Sequence, residues 1–414
     1  MPYGLYIGLL LHGVLVVLTL AAPRRPAWLG RIAFFVAAAY NEAPFLIFIV
    51  ILAGTVPTLL GAPAFPEDAI TWTLLLLLAT GLAVIAWRGT RARPAIERAL
   101  DDELGAGWRN RIDPALRAGL RDRPPWWWIV LMPIVFPRRD VKRQRNISYG
   151  HAGRANRLDL YRNRSGATGA PVLVYFHGGG YNGGRKSVEA RALLYRFASR
   201  GWVTISANYR LRPGATFVDH LTDVKKVIAW IRSEGVTYGI DPDTIVLSGG
   251  SAGGHLATMA GLTQNDPQYQ QGFEDVDTSV WAVASFYGWY DGYYGLGGVD
   301  SEVGPLGHDA TSAPPFFIAH GTDDTLALVE YARMTAAHLR AGSRAPVVYT
   351  ELPHGQHAFD LFHSFRFSAV VDGVEAFTAL LRSRRVEGRV RWRPSTPLNQ
   401  DRTASNRQGR ARRS

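Results

Sequence analysis

Hydrophobic positions are arranged in two different ways along this chain. Up to about residue 90 they form long, nearly unbroken stretches; beyond it they form short runs between polar, helix-patterned segments. The first stretch runs from about Tyr3 to Ala22, with His12 as its only strongly polar residue. The second covers about Ile32 to Leu60 and is interrupted by Asn41, Glu42 and Pro44. The third runs from about Ala69 to Trp87 and contains the unbroken run Leu74 to Leu78. A helix needs roughly 20 apolar residues to cross a ~30 Å hydrocarbon layer, and each stretch meets that requirement. A cleaved secretory leader would open with positive charge and use a shorter apolar run of roughly 7–15 residues, so the first stretch reads as a retained span. Glu42 stands apart, because a carboxylate in hydrocarbon is costly and usually faces a partner helix or is protonated. It marks either a function or a tolerated polar residue beside Pro44.

From about Asn146 to Arg384 the period changes. Pro171–Phe176, Trp202–Ser206, Thr244–Ser248, Trp281–Phe286, Pro315–Ala319 and Val347–Leu352 read as buried strands. Helical patterns alternate with them near Val188–Ser199, His220–Ser233, Ala252–Leu262, Leu326–Ala341 and Phe367–Arg382. Such alternation predicts an α/β fold, a mainly parallel sheet with helices on both faces, preceded by a transmembrane helical region. Ligands in such sheets bind beyond the carboxyl ends of the strands, so residues just after each strand are the candidates for chemistry.

Charge refines the picture. The chain of 414 residues has a formal net charge of +12, and only four of its basic residues are lysines. Arg24, Arg25 and Arg31 follow the first stretch and Arg88, Arg91, Arg93 and Arg98 the third, whereas Glu67 and Asp68 lie between the second and third. Three spans with that pattern put the N-terminus outside and the large domain in the cytoplasm. Trp126, Trp127 and Trp128, followed by Ile129 to Phe136 and flanked by Arg121, Arg123, Arg138 and Arg139, form a run too short to span. It suits either the headgroup layer or a cap packed on the domain. From Arg385 onward arginines stand among proline, serine and glycine, a composition expected to stay disordered and suited to anionic lipid or to solubility. The chain thus divides into 1–90, a transmembrane region; 91–145, a basic linker; 146–384, a catalytic domain; and 385–414, a basic tail. Cysteine is absent, which excludes disulfides, thiolate metal sites and a cysteine nucleophile.

The candidate chemistry lies where the strands end. Gly249-Gly250-Ser251-Ala252-Gly253-Gly254 sits between a predicted strand and helix, the arrangement a nucleophile elbow requires: a sharp turn, flanking glycines, an exposed hydroxyl. His177-Gly178-Gly179-Gly180 follows another strand, and its backbone N–H groups can meet a carbonyl oxygen together with the amide of Ala252. His177 itself is poorly placed as a base and reads as structural. Asp323 and Asp324 follow a third strand, with Asp324 preferred as the carboxylate that orients an imidazole. His354 and His357 follow a fourth, with His357 preferred as the general base. Tyr287, Trp289, Tyr290, Tyr293 and Tyr294 fall between strands, either lining an acyl or aryl pocket or packing on the sheet.

The segments HGGG at His177–Gly180, NYRL at Asn208–Leu211, GGSAGG at Gly249–Gly254, HGTDD at His320–Asp324 and GQHAF at Gly355–Phe359 resemble the hormone-sensitive-lipase-like esterases. Leu158-Asp159-Leu160-Tyr161 looks like the start of that domain, and the resemblance covers about Asn146 to Arg384. It implies the α/β-hydrolase fold, a Ser251–His357–Asp324 triad, no cofactor and no metal, and hydrolysis of carboxylic esters. The same match implies an oxyanion hole at Gly179, Gly180 and Ala252, with Gly178 beside them. One departure is Gly250, where many family members carry an acidic residue. That spelling also looks like the feruloyl-esterase, formamidase and prenylcysteine-methylesterase branches.

The expected function is therefore a membrane-anchored serine esterase or lipase acting on a small-molecule or lipid ester, with the membrane as partner and no nucleic acid. Two alternatives stand beside it: an acyltransferase or amidase on the same triad, and a non-catalytic ligand-binding membrane protein.

Overall fold

In the computed structural model the described residues are 3–60, 69–120, 126–134, 137–166, 168–294 and 296–386. The tail beyond residue 386, the acidic pair Glu67 and Asp68, and Arg121, Arg123 and Phe136 lie outside them. Among the described residues seven α-helices come first: α1 (Tyr3–Ala21), α2 (Ala27–Glu42), α3 (Pro44–Leu60), α4 (Ala69–Thr90), α5 (Ala92–Leu104), α6 (Pro114–Gly119) and α7 (Trp126–Leu131). The remainder runs β1 (Val141–Ser148), β2 (Arg157–Asn163), β3 (Ala170–Phe176), α8 (Arg191–Ser199), β4 (Val203–Ala207), α9 (Phe217–Glu234) and β5 (Ile240–Gly250). It continues as α10 (Ala252–Leu262), β6 (Ala282–Phe286), β7 (Phe316–Gly321), α11 (Val329–Gly342), β8 (Val347–Leu352) and α12 (Phe365–Val386).

The strands form one eight-stranded sheet in the order β1-β2-β4-β3-β5-β6-β7-β8. β1 and β2 pair antiparallel, β2 pairs antiparallel with β4, and every later pair is parallel. The six strands expected from apolar runs are all present. β1 and β2 were not legible that way, because β1 (Val-Lys-Arg-Gln-Arg-Asn-Ile-Ser) is a polar edge strand with one buried residue. Edge strands carry charge for a physical reason: an apolar edge would invite pairing with another chain.

Two apolar layers cover the sheet. α9, α10 and α11 pack on one face, and α5, α8 and α12 on the other. Residues 92–112, expected to be linker, are therefore packed on the sheet domain, which corrects that part of the expected boundary. Ile96, Leu100 and Leu104 of α5 are buried on one helical stripe, joined by Trp108, and each such side chain contributes on the order of 1.5–3 kcal/mol by leaving water. β1 likewise starts before Asn146, inside the expected linker.

The second apolar stretch is also not one element. The chain breaks at Ala43, where Pro44 starts a new helix, so α2 and α3 have 16 and 17 residues. Tyr3–Ala21 and the continuous Ala69–Leu104 are long and apolar enough to cross a membrane, and Pro44–Val56 is a shorter apolar helix. α1 and α4 run the same way, since Arg88 Nη1 donates to the Leu20 carbonyl at 2.9 Å. Their C-terminal ends lie toward the sheet domain, with Gly89 against Phe365 at the start of α12. α3 begins at that same level, where Phe45 faces Phe365 edge-on at 6.3 Å, and runs back along α4. α2 behaves differently. It lies on the sheet domain beyond the carboxyl ends of β7 and β8, touching the loops that follow them.

Candidate active site

Ser251 stands between β5 and α10 with φ 54° and ψ −122°. A side chain in that conformation is strained, and it persists because the turn is held from several sides: the Ser251 amide donates to the Phe286 carbonyl at 3.1 Å. Glycine is required on both flanks. A Cβ on Gly249 would strike the Gly253 backbone, and one on Gly253 would strike the Phe176 carbonyl. The turn leaves the hydroxyl above the sheet, with Ala252 opening α10, where helical N–H groups have no partner within the helix.

His357 and Asp324 arrive from two other loops. His357 Nε2 lies 2.8 Å from Ser251 Oγ, and Nδ1 lies 2.7 Å from Asp324 Oδ2. A carboxylate can only accept, so Nδ1 carries the proton there and Nε2 is left to accept from the serine hydroxyl. Asp324 Oδ1 accepts from the amides of Leu326 at 2.9 Å and Ala327 at 2.8 Å, which fixes the carboxylate. Burial pushes the Asp324 carboxyl up, but its electrostatic attraction to the His357 imidazole and hydrogen bonds from His320 and His357 outweigh it and hold the group below its ordinary value. Ser251 is 5 % and His357 3 % exposed, so the line of hydrogen bonds is sheltered from water.

The neighbouring pair is separate. His354 Nδ1 lies 3.0 Å from Asp323 Oδ2, both toward the surface, while Asp324 and His357 take the inner positions. His177 is not at the serine either. Its Nδ1 lies 2.7 Å from the Gly178 carbonyl, its ring stacks on Tyr209 at 4.5 Å, and burial lowers its pKa to about 4. It braces the loop, as its position suggested.

The HGGG loop crosses directly above the serine: a Cβ on Gly178 would stand 3.0 Å from Ser251 Cβ. The Gly178 amide, however, donates to Glu189 Oε2 at 2.7 Å. It is engaged away from the serine, which corrects its expected place in the oxyanion hole. Gly179 (φ 99°) and Gly180 (φ 56°) turn the loop back. Their carbonyls are held by Asn182 and Gly183 amides at 3.1 Å and by the Tyr294 hydroxyl.

Beneath this loop lies a cluster the sequence did not disclose. Tyr175 and Tyr287 hydroxyls both donate to Asp360, and Tyr175 also reaches Glu189 at 3.2 Å. Burial, with their mutual charge added, raises the pKa of the Glu189 carboxyl, and burial raises that of Asp360. The same hydroxyls explain Gly250: a Cβ there would run into the Tyr287 and Tyr175 oxygens. Beside the position before the serine this chain places two tyrosines leading to Asp360. Of the aromatic loop, Tyr287, Tyr290 and Tyr293 are buried packing residues and Tyr294 is half exposed beside Gly180. Tyr287 meets the His357 ring at 4.7 Å. From the opposite element, Phe34 of α2 meets it edge-on at 5.4 Å.

Known proteins resemble the chain in sequence and fold. A family model described as BD-FAE matches residues 158–293. A protein described as a probable carboxylic ester hydrolase, LipM of Mycobacterium tuberculosis, is 38 % identical over 344 residues, covering 76 % of this chain and 78 % of its own. The esterase LipQ of the same organism is 35 % identical over 337 residues, covering 73 % and 78 %. Among solved structures, a truncated carbohydrate esterase from gut microbiota superposes with a TM-score of 0.50 at 20 % identity, covering 58 % of this chain and 99 % of that one, a likeness of fold. With relatives this similar over most of their length, the chain belongs to the α/β-hydrolase-fold serine esterases and is a carboxylic ester hydrolase.

Proposed function

We propose that the protein is a membrane-anchored esterase that works through an acyl-enzyme on Ser251, with His357 as general base and Asp324 as its orienting carboxylate. The single observation that carries this reading is the continuous contact Ser251 Oγ–His357 Nε2 at 2.8 Å and His357 Nδ1–Asp324 Oδ2 at 2.7 Å. His357 takes the hydroxyl proton as Ser251 Oγ bonds to the ester carbonyl carbon. The carbonyl oxygen gains the charge, and the amides of Gly179, Gly180 and Ala252 meet it. Collapse breaks the bond to the alkoxy oxygen, which leaves as alcohol with the proton from His357. Water then attacks the acyl-enzyme, losing its proton to His357, and the acid departs as Ser251 recovers its hydrogen. Ser251→Ala should reduce ester turnover by about 10⁴-fold or more; turnover at the wild-type rate would remove Ser251 from the mechanism.

The membrane reading is supported by the direction of the helices. α1 and α4 lead toward the sheet domain and α3, a shorter apolar helix, away from it; with all three taken as crossings, the N-terminus lies opposite the domain. Arg24, Arg25 and Arg31 and the arginines after α4 all fall on the domain side, which favours a cytoplasmic domain. Trp126, Trp127 and Trp128 are exposed beside the level where α3 begins, as interfacial tryptophans are. Protease accessibility in sealed vesicles tests the orientation; digestion of the domain from the outer side would reverse it.

A second reading, acyl transfer to an alcohol, draws on the near-complete shielding of Ser251 and His357, since excluding water favours another acceptor. Product analysis with added alcohol separates the two: ester exchange supports transfer, free acid alone supports hydrolysis.

A further inference from the structure

α2 touches both loops that carry the partners of Ser251. Near its N-terminal end the Gly30 carbonyl accepts from Thr325 Oγ1 at 2.8 Å, and Thr325 follows Asp324 directly. Arg24, just ahead of the helix, pairs with Glu330 at 3.1 Å and donates to the Thr322 carbonyl. At its C-terminal end Asn41 Nδ2 donates to the His354 carbonyl at 3.3 Å, three residues before His357, and Glu42 pairs with Arg366. Between these anchors Phe34 stands edge-on to the imidazole, its plane at 79° to that ring. The helix is thus fixed across the acid loop and the base loop, with one aromatic side chain aimed at the group between them.

Its other side is different. Trp28, Ile32 and Phe35 recur at the spacing of one helical face and are 62 %, 46 % and 78 % exposed. α2 also packs against α1 and α4, whose outer sides expose Leu10, Leu11, Leu76 and Leu77. Arg25 and Arg31 are exposed near it. Bulky apolar and aromatic side chains with arginines beside them suit the boundary between headgroups and acyl chains.

We infer that α2 is a wall of the ester-binding site, that Phe34 determines which ester chain fits beneath it, and that the substrate is a long-chain ester drawn from the lipid phase. This rests on Ser251 being the nucleophile and deepens that reading by naming the substrate class. The ester group reaches Ser251 and His357 under the inner face of α2, while the apolar chain remains toward the bilayer that covers the outer face. A wall set by one aromatic ring discriminates chains by size, and differences of a methylene or more in an apolar pocket are read as about 10-fold or larger changes in specificity.

The test uses the full chain in vesicles of phosphatidylcholine and phosphatidylglycerol, with 4-nitrophenyl palmitate in the bilayer and 4-nitrophenyl acetate in the water. The readout is the ratio of kcat/KM for the two esters. Phe34→Ala and Phe34→Trp should move this ratio in opposite directions, by about tenfold or more each. Trp28→Ser, Ile32→Ser and Phe35→Ser combined should lower it. Equal changes for both esters in the Phe34 variants would mean that the ring only packs on the imidazole, and would overturn the inference. A ratio unmoved by the triple replacement would overturn entry from lipid. Fluorophosphonate labelling in the same samples keeps the two readings apart: wild type that labels at no serine, or labels equally as Ser251→Ala, would sink the nucleophile assignment itself.

Discussion

Glu42 at the end of α2 and Arg366 on α12 form an ion pair with both side chains shielded from solvent, 324 residues apart in sequence. The polar interruption in the second apolar stretch is thereby explained: Glu42 faces the sheet domain. Asn41 beside it does the same through the His354 carbonyl. The pair holds the C-terminal end of α2 in place over the catalytic loops.

Breaking this pair on one side leaves the other charge buried and alone, at a cost of about 3–5 kcal/mol. Arg366→Met and Glu42→Leu should each lower the melting temperature of the detergent-solubilised protein markedly, and the double replacement should recover most of the loss. A double variant as unstable as the sum of the singles would show that the two residues act independently.

Asp323 and Asp324 are adjacent in sequence but differ in position. Asp324→Asn should reduce kcat by about 10⁴-fold, because an amide no longer holds the imidazole in the required tautomer. Asp323→Asn, which loses only its contact with His354, should change kcat by less than about tenfold. Steady-state kinetics on one soluble ester decide this, and a reversed order would move the acid to Asp323.

Gly250 has no room for a side chain beneath the Tyr287 and Tyr175 hydroxyls. Gly250→Asp should destabilise the domain by about 1–3 kcal/mol or more through overpacking. Thermal melts of Gly250→Asp alone and with Tyr287→Phe check the cause: relief in the double variant is expected, and a fully stable single variant would contradict it.

Glu189 supplies a pH test. Its carboxyl is buried and its folded pKa is raised, so its stabilising contribution is complete below the unfolded value near 4.5 and is lost as the pH rises. Glu189→Gln keeps an acceptor for the Gly178 amide without the charge. The variant should therefore gain stability relative to wild type as pH rises from 5 to 9. A difference in melting temperature that stays constant or shrinks over that range would contradict the account.

Much of the site was legible because each candidate directly follows a strand. Ser251, Asp324 and His357 lie on the loops after β5, β7 and β8, and apolar runs mark those strands plainly. What stayed hidden depends on tertiary partners. β1 is polar because it is an edge strand, and α5 looked like linker because its apolar stripe is narrow and its other residues are charged. Glu189 and Asp360 carry no local signal, being brought together only by the folding of two distant loops. α2 did leave a trace. Gly30, Phe34 and Asn41 share one face while Trp28, Ile32 and Phe35 share the other, and Pro44 ends the helix before it could span. A search for runs of apolar residues passes over that two-sidedness.

The most direct test of the central claim is peptide mapping by mass spectrometry after a fluorophosphonate reacts with the full-length protein. The account predicts one adduct, on Ser251, lost in Ser251→Ala and strongly slowed in His357→Ala. An adduct on any other serine, or none on folded protein that still hydrolyses esters, would contradict it.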